Sequence, residues 1–449
     1  MKLVACALLA ACTAAPEDPF AATPSAYADR VLALDPAGYW RLDETDGVTL
    51  HDASPAANHA RTHSDPRLGD EGVDRSAHFS GRAQYAQVES RDGYSLAPAW
   101  DDFARGCIVT AGSCRARSWG AAWQLSSWHY FTTGDGTAWI DPHGDPGPFE
   151  QIWPLDRGDG EVQIRARWGD GAVAVVAERE DDRDFVRAEL SGDTLALIET
   201  RDGRDTTLAT SPLGPTAGWW YVRLQYDGAE LRARAWTADA DQPQTWLVAT
   251  ASRAATGAVG VRSTGSIAAF QAFRARTLGL TLHLLARLDP DQPRDTTQLL
   301  GKGDHSGFTS ATAQEYHLRY VRDVDGQHLK SYAFNQSGGF GAGVSFDAVE
   351  TERWYDLVVE YDPGDYLDAS AGVHMFVDGV ELPAGAGAKY HSKSCVEERI
   401  CWQIDPVRTG APLRFGTSDG TGFFAGNLDE IAVFPRLLSA DERDQLRIR

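Results

Sequence analysis

Along most of this chain, apolar or small residues alternate with charged ones at a period of two. Residues 161–167 (EVQIRAR), 221–226 (YVRLQY) and 231–236 (LRARAW) are examples. A strand with one face on a core and the other in water has this pattern. The Asp-Gly dipeptides at 202–203, 227–228 and 378–379 suit two-residue hairpin turns, whose central residues need positive φ. Only residues 439–446 read as a helix, with Ser439 as N-cap and Glu442 three residues on to complete a capping box. The pattern predicts an all-β chain ending in a helical turn or two. The 44 Gly and 21 Pro fit many short strands joined by tight turns. With 14 Trp, 14 Tyr and 17 Phe there is material for sizeable cores, which excludes a disordered chain.

Charge and cysteines narrow the setting. Sixty-four acidic residues against 42 basic ones give a net charge of −22, which repels phosphate backbones and speaks against nucleic-acid partners. No apolar run reaches the length of about 18 residues that a membrane-spanning helix needs. Residues 1–25 read as a leader and an Ala/Pro/Thr-rich tether. Within them Leu9-Ala10-Ala11-Cys12 resembles the bacterial lipobox. That resemblance implies a lipid on Cys12, membrane contact only through this anchor, and an outer-membrane or cell-surface location. An ordinary secretory leader, giving a secreted or periplasmic protein, is the alternative. Cys6 and Cys12 belong to the leader, and the other four fall into close pairs, Cys107 with Cys114 and Cys395 with Cys401. In an exported protein such pairs are expected to oxidise; zinc is the rival, but neither pair has CxxC spacing.

Two stretches carry a family resemblance. Residues 37–89 open with AGYWRLDETDGVTLHDASPAANHA and close with an alternating strand pair. Residues 280–434 run through LTLHLLARLDP, LLGKGDHSGF, YHLRYV, RWYDLVVEYD, MFVDGVEL, LRFGTS and GNLDEIAVF. Together they resemble, in order, a laminin-G/concanavalin-A-like jelly roll. Where that family has a short connection, residues 99–277 intervene. Their GEVQIRARW, AVAVVAERE, DFVRAELSGDTLALIET and GWWYVRLQYD resemble a second concanavalin-A-like sandwich, as in bacterial sugar-binding modules and 3-keto-glycoside hydrolase relatives. The expectation is two antiparallel β-sandwiches, one inserted into a loop of the other. Residues 26–98 and 278–449 would form the host and 99–277 the insert.

Candidate chemistry is sparse. Retaining glycosidases need two carboxylates about 5–5.5 Å apart, and no apolar strand presents acids at i, i+2 and i+4. Residues 178–182 (EREDD) read as a hairpin tip, and Arg187 with Glu189 as an exposed cross-strand ion pair. No nucleophile elbow, HExxH or phosphate-cradling glycine loop occurs, so no catalytic residue is assigned. The laminin-G resemblance implies a structural Ca²⁺ between the opening loop and the final strand, held by Asp52, Asn58 and Asp429, with Asp43 and Asp304 as weaker candidates. Aromatic rings stack on pyranose faces, and Trp119, Trp123, Trp128, Tyr130 and Trp139 crowd the start of the middle segment. They mark either a glycan groove or the interface between the two jelly rolls. Trp219 and Trp220 are adjacent, so in a strand one faces the core. The reading is a non-catalytic, surface-anchored lipoprotein that binds glycans or a cell-surface partner. The alternatives are a polysaccharide- or keto-glycoside-degrading enzyme with a catalytic insert, and a structural surface scaffold.

Overall fold

A computed structural model describes residues 24–448 except 102, 104–106, 109–112, 116–121, 126–129, 133–135, 141–146, 158, 216, 255, 266, 304–313, 336–339, 365–370, 384–393, 397–399, 403 and 409. Nearly every regular element is a strand, and the strands form four large antiparallel sheets stacked as two sandwiches. Sheets 1 and 2 make a terminal sandwich from strands between residues 38 and 88 and between 280 and 434. Sheets 3 and 4 make a central sandwich from strands between residues 99 and 276. Each has its own core. Leu282, Leu284, Leu300, Leu318, Leu357 and Val359 are among those filling the first, and Val162, Ile164, Val175, Val186, Val222 and Leu224 the second.

Local chemistry explains the connections. Asp202 and Gly203 have φ of 51° and 74°, Asp378 and Gly379 of 52° and 77°. These are the paired positive angles of a two-residue hairpin turn matched to strand twist. The helix α2 (Ala440–Leu446) starts at the expected Ser439, and the capping box with Glu442 is complete.

A second helix corrects the sequence reading. Residues 24–33 form α1 (Pro24–Ala33), where a tether leading into strands was expected. Tyr27, Ala28, Val31 and Leu34 recur at i, i+1, i+4 and i+7, one stripe of a helix, and all four are buried. They pack with Leu438 and Leu446 onto Val358, Phe376, Ala432 and Phe434 of sheet 1. The Tyr27 hydroxyl donates to the Leu446 carbonyl at 3.0 Å and Arg30 Nε to that of Gln445 at 3.1 Å. These bonds satisfy the orphan carbonyls at the end of α2.

Sheets 1 and 3 match strand for strand. In sheet 1 the order is Gly372–Val377, Trp354–Asp362, Leu280–Leu288, Ala425–Phe434. In sheet 3 it is Glu230–Thr237, Trp220–Asp227, Asp159–Trp168, Ala268–Arg276. In both, the last of these strands carries an irregularity with one non-glycine residue at positive φ, Glu430 at 50° and Ala272 at 52°. Such bulges bend a strand and re-aim its side chains. The outer face of sheet 1 is sealed by α1 and α2, while sheet 3 has no helix upon it among the described residues.

In sheet 2, His317 is buried with its ring edge-on to Tyr332 and Phe334, and Nδ1 lies 3.2 Å from Gln314 Oε1. Burial, and then the nearby Arg319, hold its pKa well below the ordinary value. The unfolded chain therefore takes up a proton below about pH 6.5 that the folded state refuses. The sign follows: stability is intact above that pH and falls as pH drops, by about 1.4 kcal/mol per unit for one proton. Relative to His317→Leu, the wild type is expected to lose about 2 kcal/mol between pH 6.5 and pH 5. Urea melts at both pH values check this, and equal pH slopes in the two proteins would contradict it.

Candidate binding face of the central sandwich

The register of sheet 3 aligns side chains into rungs across its outer face. Trp139 faces Ala269, Ala269 faces Arg167, and Trp219 stands just before the strand that continues the row. The next rung is Gln271, Arg165, Tyr221 and Trp236, and the third is Arg274, Gln163, Arg223 and Arg234. On the opposite face Val162, Ile164, Ala166, Val222 and Leu224 enter the core. Strict alternation thus puts every arginine of these strands on one side.

The rungs are laced by guanidinium–aromatic contacts. Arg167 Cζ lies 5.5 Å from the Trp139 ring and 5.1 Å from the Trp219 ring. Arg165 sits 5.2 Å from Trp219 and 5.9 Å from Tyr221, and Arg234 is 3.9 Å from Trp246. Exposure is graded along the face. Trp139, Trp219 and Arg165 are half-buried and Arg167 is exposed, while Gln163, Arg223, Arg234 and Arg274 are buried. At the buried end Arg223 donates twice to Gln163 Oε1, at 2.8 and 2.6 Å. Arg274 pairs with Asp405, and Arg276 donates to the Pro363 carbonyl at 3.0 Å; both partners belong to the terminal sandwich. Burial pulls the Arg274 pKa below its ordinary value despite the Asp405 carboxylate. One end of the face is thus spent on the contact between sandwiches, and at the Trp139–Arg167–Trp219 end Arg167 is exposed.

The expected site residues fall out unequally. Trp219 and Trp220 divide as the alternation requires: Trp220 is in the core and Trp219 on the outer face. Of the five expected glycan residues, Trp139 is on this face. Tyr130 stands opposite Ile140 in sheet 3, whereas Trp123 lies on Ala122–Leu125 of sheet 4, so the backbone spreads the set over two sheets. Trp119, Trp128, Asp304 and Cys12 lie outside the described residues. Cys395 and Cys401 face each other in the hairpin Ser394–Val396/Ile400–Trp402. Cys107 is on the edge strand of sheet 3 and Cys114 on that of sheet 4. Two other readings are corrected. Glu178 is buried within Ala172–Arg179 rather than at the hairpin tip, which spans 180–184. Arg187 is also buried; it pairs along its own strand with Glu189 at 2.9 Å and forks onto Asp205 at 2.6 and 3.1 Å.

The expected calcium ligands have structural work to do. Asp52 Oδ1 accepts the Tyr39 and Ser54 N–H, and Oδ2 accepts that of Asn58. The Asn58 amide donates to the Glu89 carbonyl at 3.0 Å. These bonds tie Asp52 and Asn58 into one turn. Asp429 instead accepts from Val73 N at 2.8 Å, and burial followed by the adjacent Glu430 raises its pKa. Glu430, itself raised to about 7 by burial, accepts the Tyr39 hydroxyl. Among the described residues no group of three or more His, Cys, Asp or Glu is placed to hold a metal. Both carboxylate oxygens of Asp52 thus accept backbone N–H groups.

A cleft of about 930 Å³ between the sandwiches is lined by Asp159, Glu180, Asp227, Arg253, Arg436 and Glu442 among others, with no aromatic side chain among the described residues. Its arginines are already paired, Arg253 with Glu180 at 3.0 Å and Arg436 with Glu442 at 2.8 Å. It offers a sugar no ring to stack on, which leaves sheet 3 as the stronger candidate.

Residues 277–442 match the family model described as the concanavalin A-like lectin/glucanases superfamily. No curated protein sequence matches this chain. Among solved structures it is similar to the carbohydrate binding module CBM66 from Bacillus subtilis. That pair is 14% identical over 33% of this chain and 91% of the module, with a TM-score of 0.29. A β-glucanase from Bacillus licheniformis is 9% identical over 40% of this chain and 97% of its own, at a TM-score of 0.29. An uncharacterized protein from Mycobacterium paratuberculosis is 15% identical over 39% and 98%, at 0.28.

Proposed function

We propose that the central sandwich is a non-catalytic glycan-binding module, displayed by a chain exported as a surface lipoprotein. The observation that carries this reading is the end of sheet 3 where the half-buried rings of Trp139 and Trp219 lie 5.5 and 5.1 Å from the exposed guanidinium of Arg167. Indole rings offer apolar area to a pyranose, and guanidinium and amide groups beside them meet its hydroxyls. The first three rungs carry no carboxylate, and hydrolysis of a glycosidic bond on this fold needs two. Affinity electrophoresis of the mature protein through gels of plant, algal and bacterial polysaccharides tests the reading. One or more should retard it, and Trp219→Ala should weaken that binding about tenfold, equivalent to about 1.4 kcal/mol. Trp220 and the strand core are untouched by this change. Release of shorter sugars during the run would instead favour the enzyme, and binding unaffected by Trp219→Ala would move the site elsewhere.

A further inference from the structure

The charge on this face runs against that of the molecule. The chain carries −22 overall, yet the first three rungs hold Arg165, Arg167, Arg223, Arg234 and Arg274 with no acidic residue among them. The inner arginines are engaged by protein: Arg223 by Gln163, Arg274 by Asp405, Arg234 by the Pro243 carbonyl. Arg167 is different. It is exposed, lies against the two indoles, and has no carboxylate partner among the described residues. A guanidinium stacked on a ring keeps the N–H donors in its plane, and that planar fork matches a carboxylate. The rings also restrict a long side chain whose ordering would otherwise oppose binding.

We propose that the ligand of this face is an acidic glycan. The uronate carboxylate would be taken by Arg167, and the pyranose ring would lie against Trp219 or Trp139. The inference rests on the glycan-binding reading and adds the substrate class. A neutral glycan would leave Arg167 with hydroxyls alone, and an acidic one supplies the charge-assisted, two-pronged bond that arginine makes best. The remainder of the strongly acidic surface repels such a polymer, so attraction is confined to this strip and orients the chain along it.

The test keeps the sugar constant and removes its charge. Oligomers of galacturonate, mannuronate and glucuronate are compared by calorimetry with their methyl esters, and a sulfated galactan oligomer is run beside them. At least one uronate should bind tenfold or more tightly than its own ester, with a preference that shrinks as salt is raised. Arg167→Gln should erase the difference between acid and ester while leaving ester binding in place. Arg322→Gln, which removes an exposed arginine from the terminal sandwich, should leave the preference intact. Equal binding of acid and ester would overturn the acidic-ligand inference and keep the glycan-binding proposal. A preference for the sulfated oligomer alone would reject the uronate. Binding of none of the probes would overturn the acidic-ligand inference and leave the glycan-binding proposal to the electrophoresis.

Discussion

A chain in which Pro98 is joined to Thr277 by a short Gly/Ser link is expected to fold and melt cooperatively without residues 99–276. Ala99 and Ala275 are direct partners in antiparallel strands, so their Cα atoms are about 5 Å apart and a short link can replace everything between them. The flanking backbone is pinned to the terminal sandwich on its own account. Glu315 accepts the Ser95 hydroxyl at 2.7 Å and Leu96 N at 3.0 Å, and the Thr277 hydroxyl donates to the Gly279 carbonyl at 2.6 Å. The two cores share no residue. The Arg274–Asp405 pair and the bond from Arg276 to the Pro363 carbonyl are lost across the boundary, and removing the central sandwich lets Asp405 regain water instead of stranding it. Circular dichroism and a thermal melt decide the outcome. A remnant without a cooperative transition would show that residues 99–277 are not a separate folding unit.

The strands were legible because one wet and one dry face impose a period of two, and residues 161–167 and 221–226 obey it closely. The capping box at Ser439 was legible for a similar reason, since both partners are local in sequence. Helix α1 was missed although its stripe of Tyr27, Val31 and Leu34 was present, because it adjoins a leader whose composition suggests a tether. The binding face shows the real limit. Residues 139, 167, 219 and 269 meet only through the register of four strands, and register between distant segments leaves no signature in any one of them. From sequence, Arg165 and Arg167 are ordinary members of a wet face. The same holds for Asp52, whose N–H partners Ser54 and Asn58 come from what the sequence marks only as a loop, and whose third, Tyr39, comes from the strand Gly38–Trp40.

The second large effect is expected at Glu315. Its carboxylate and the Lys302 ammonium are wholly buried and 2.8 Å apart. A buried pair is by itself weak evidence for stability, because desolvation of two charges offsets their attraction. Here the surroundings decide. Glu315 Oε2 also accepts from the Ser95 hydroxyl, Leu96 N and Ala97 N, while among the described residues Lys302 has besides Glu315 only the Ala411 carbonyl. Glu315→Ala therefore leaves the ammonium without its counter-charge and the Leu96 N–H without its acceptor, while the Ala97 N–H keeps Ser95 Oγ, and about 3–5 kcal/mol should be lost. That is a large share of the stability of about 5–15 kcal/mol usual for a domain. Lys302→Met leaves a carboxylate still held by three donors, so it should cost about 2 kcal/mol less than Glu315→Ala. Replacing both by Met and Leu should not restore the wild type, because the Ser95 hydroxyl and Leu96 N–H would lose the carboxylate they donate to. Urea unfolding of the three variants measures this. If Lys302→Met is as damaging as Glu315→Ala, the ion pair alone matters, and Glu315 does not anchor the segment through which the chain leaves the terminal sandwich for the central one.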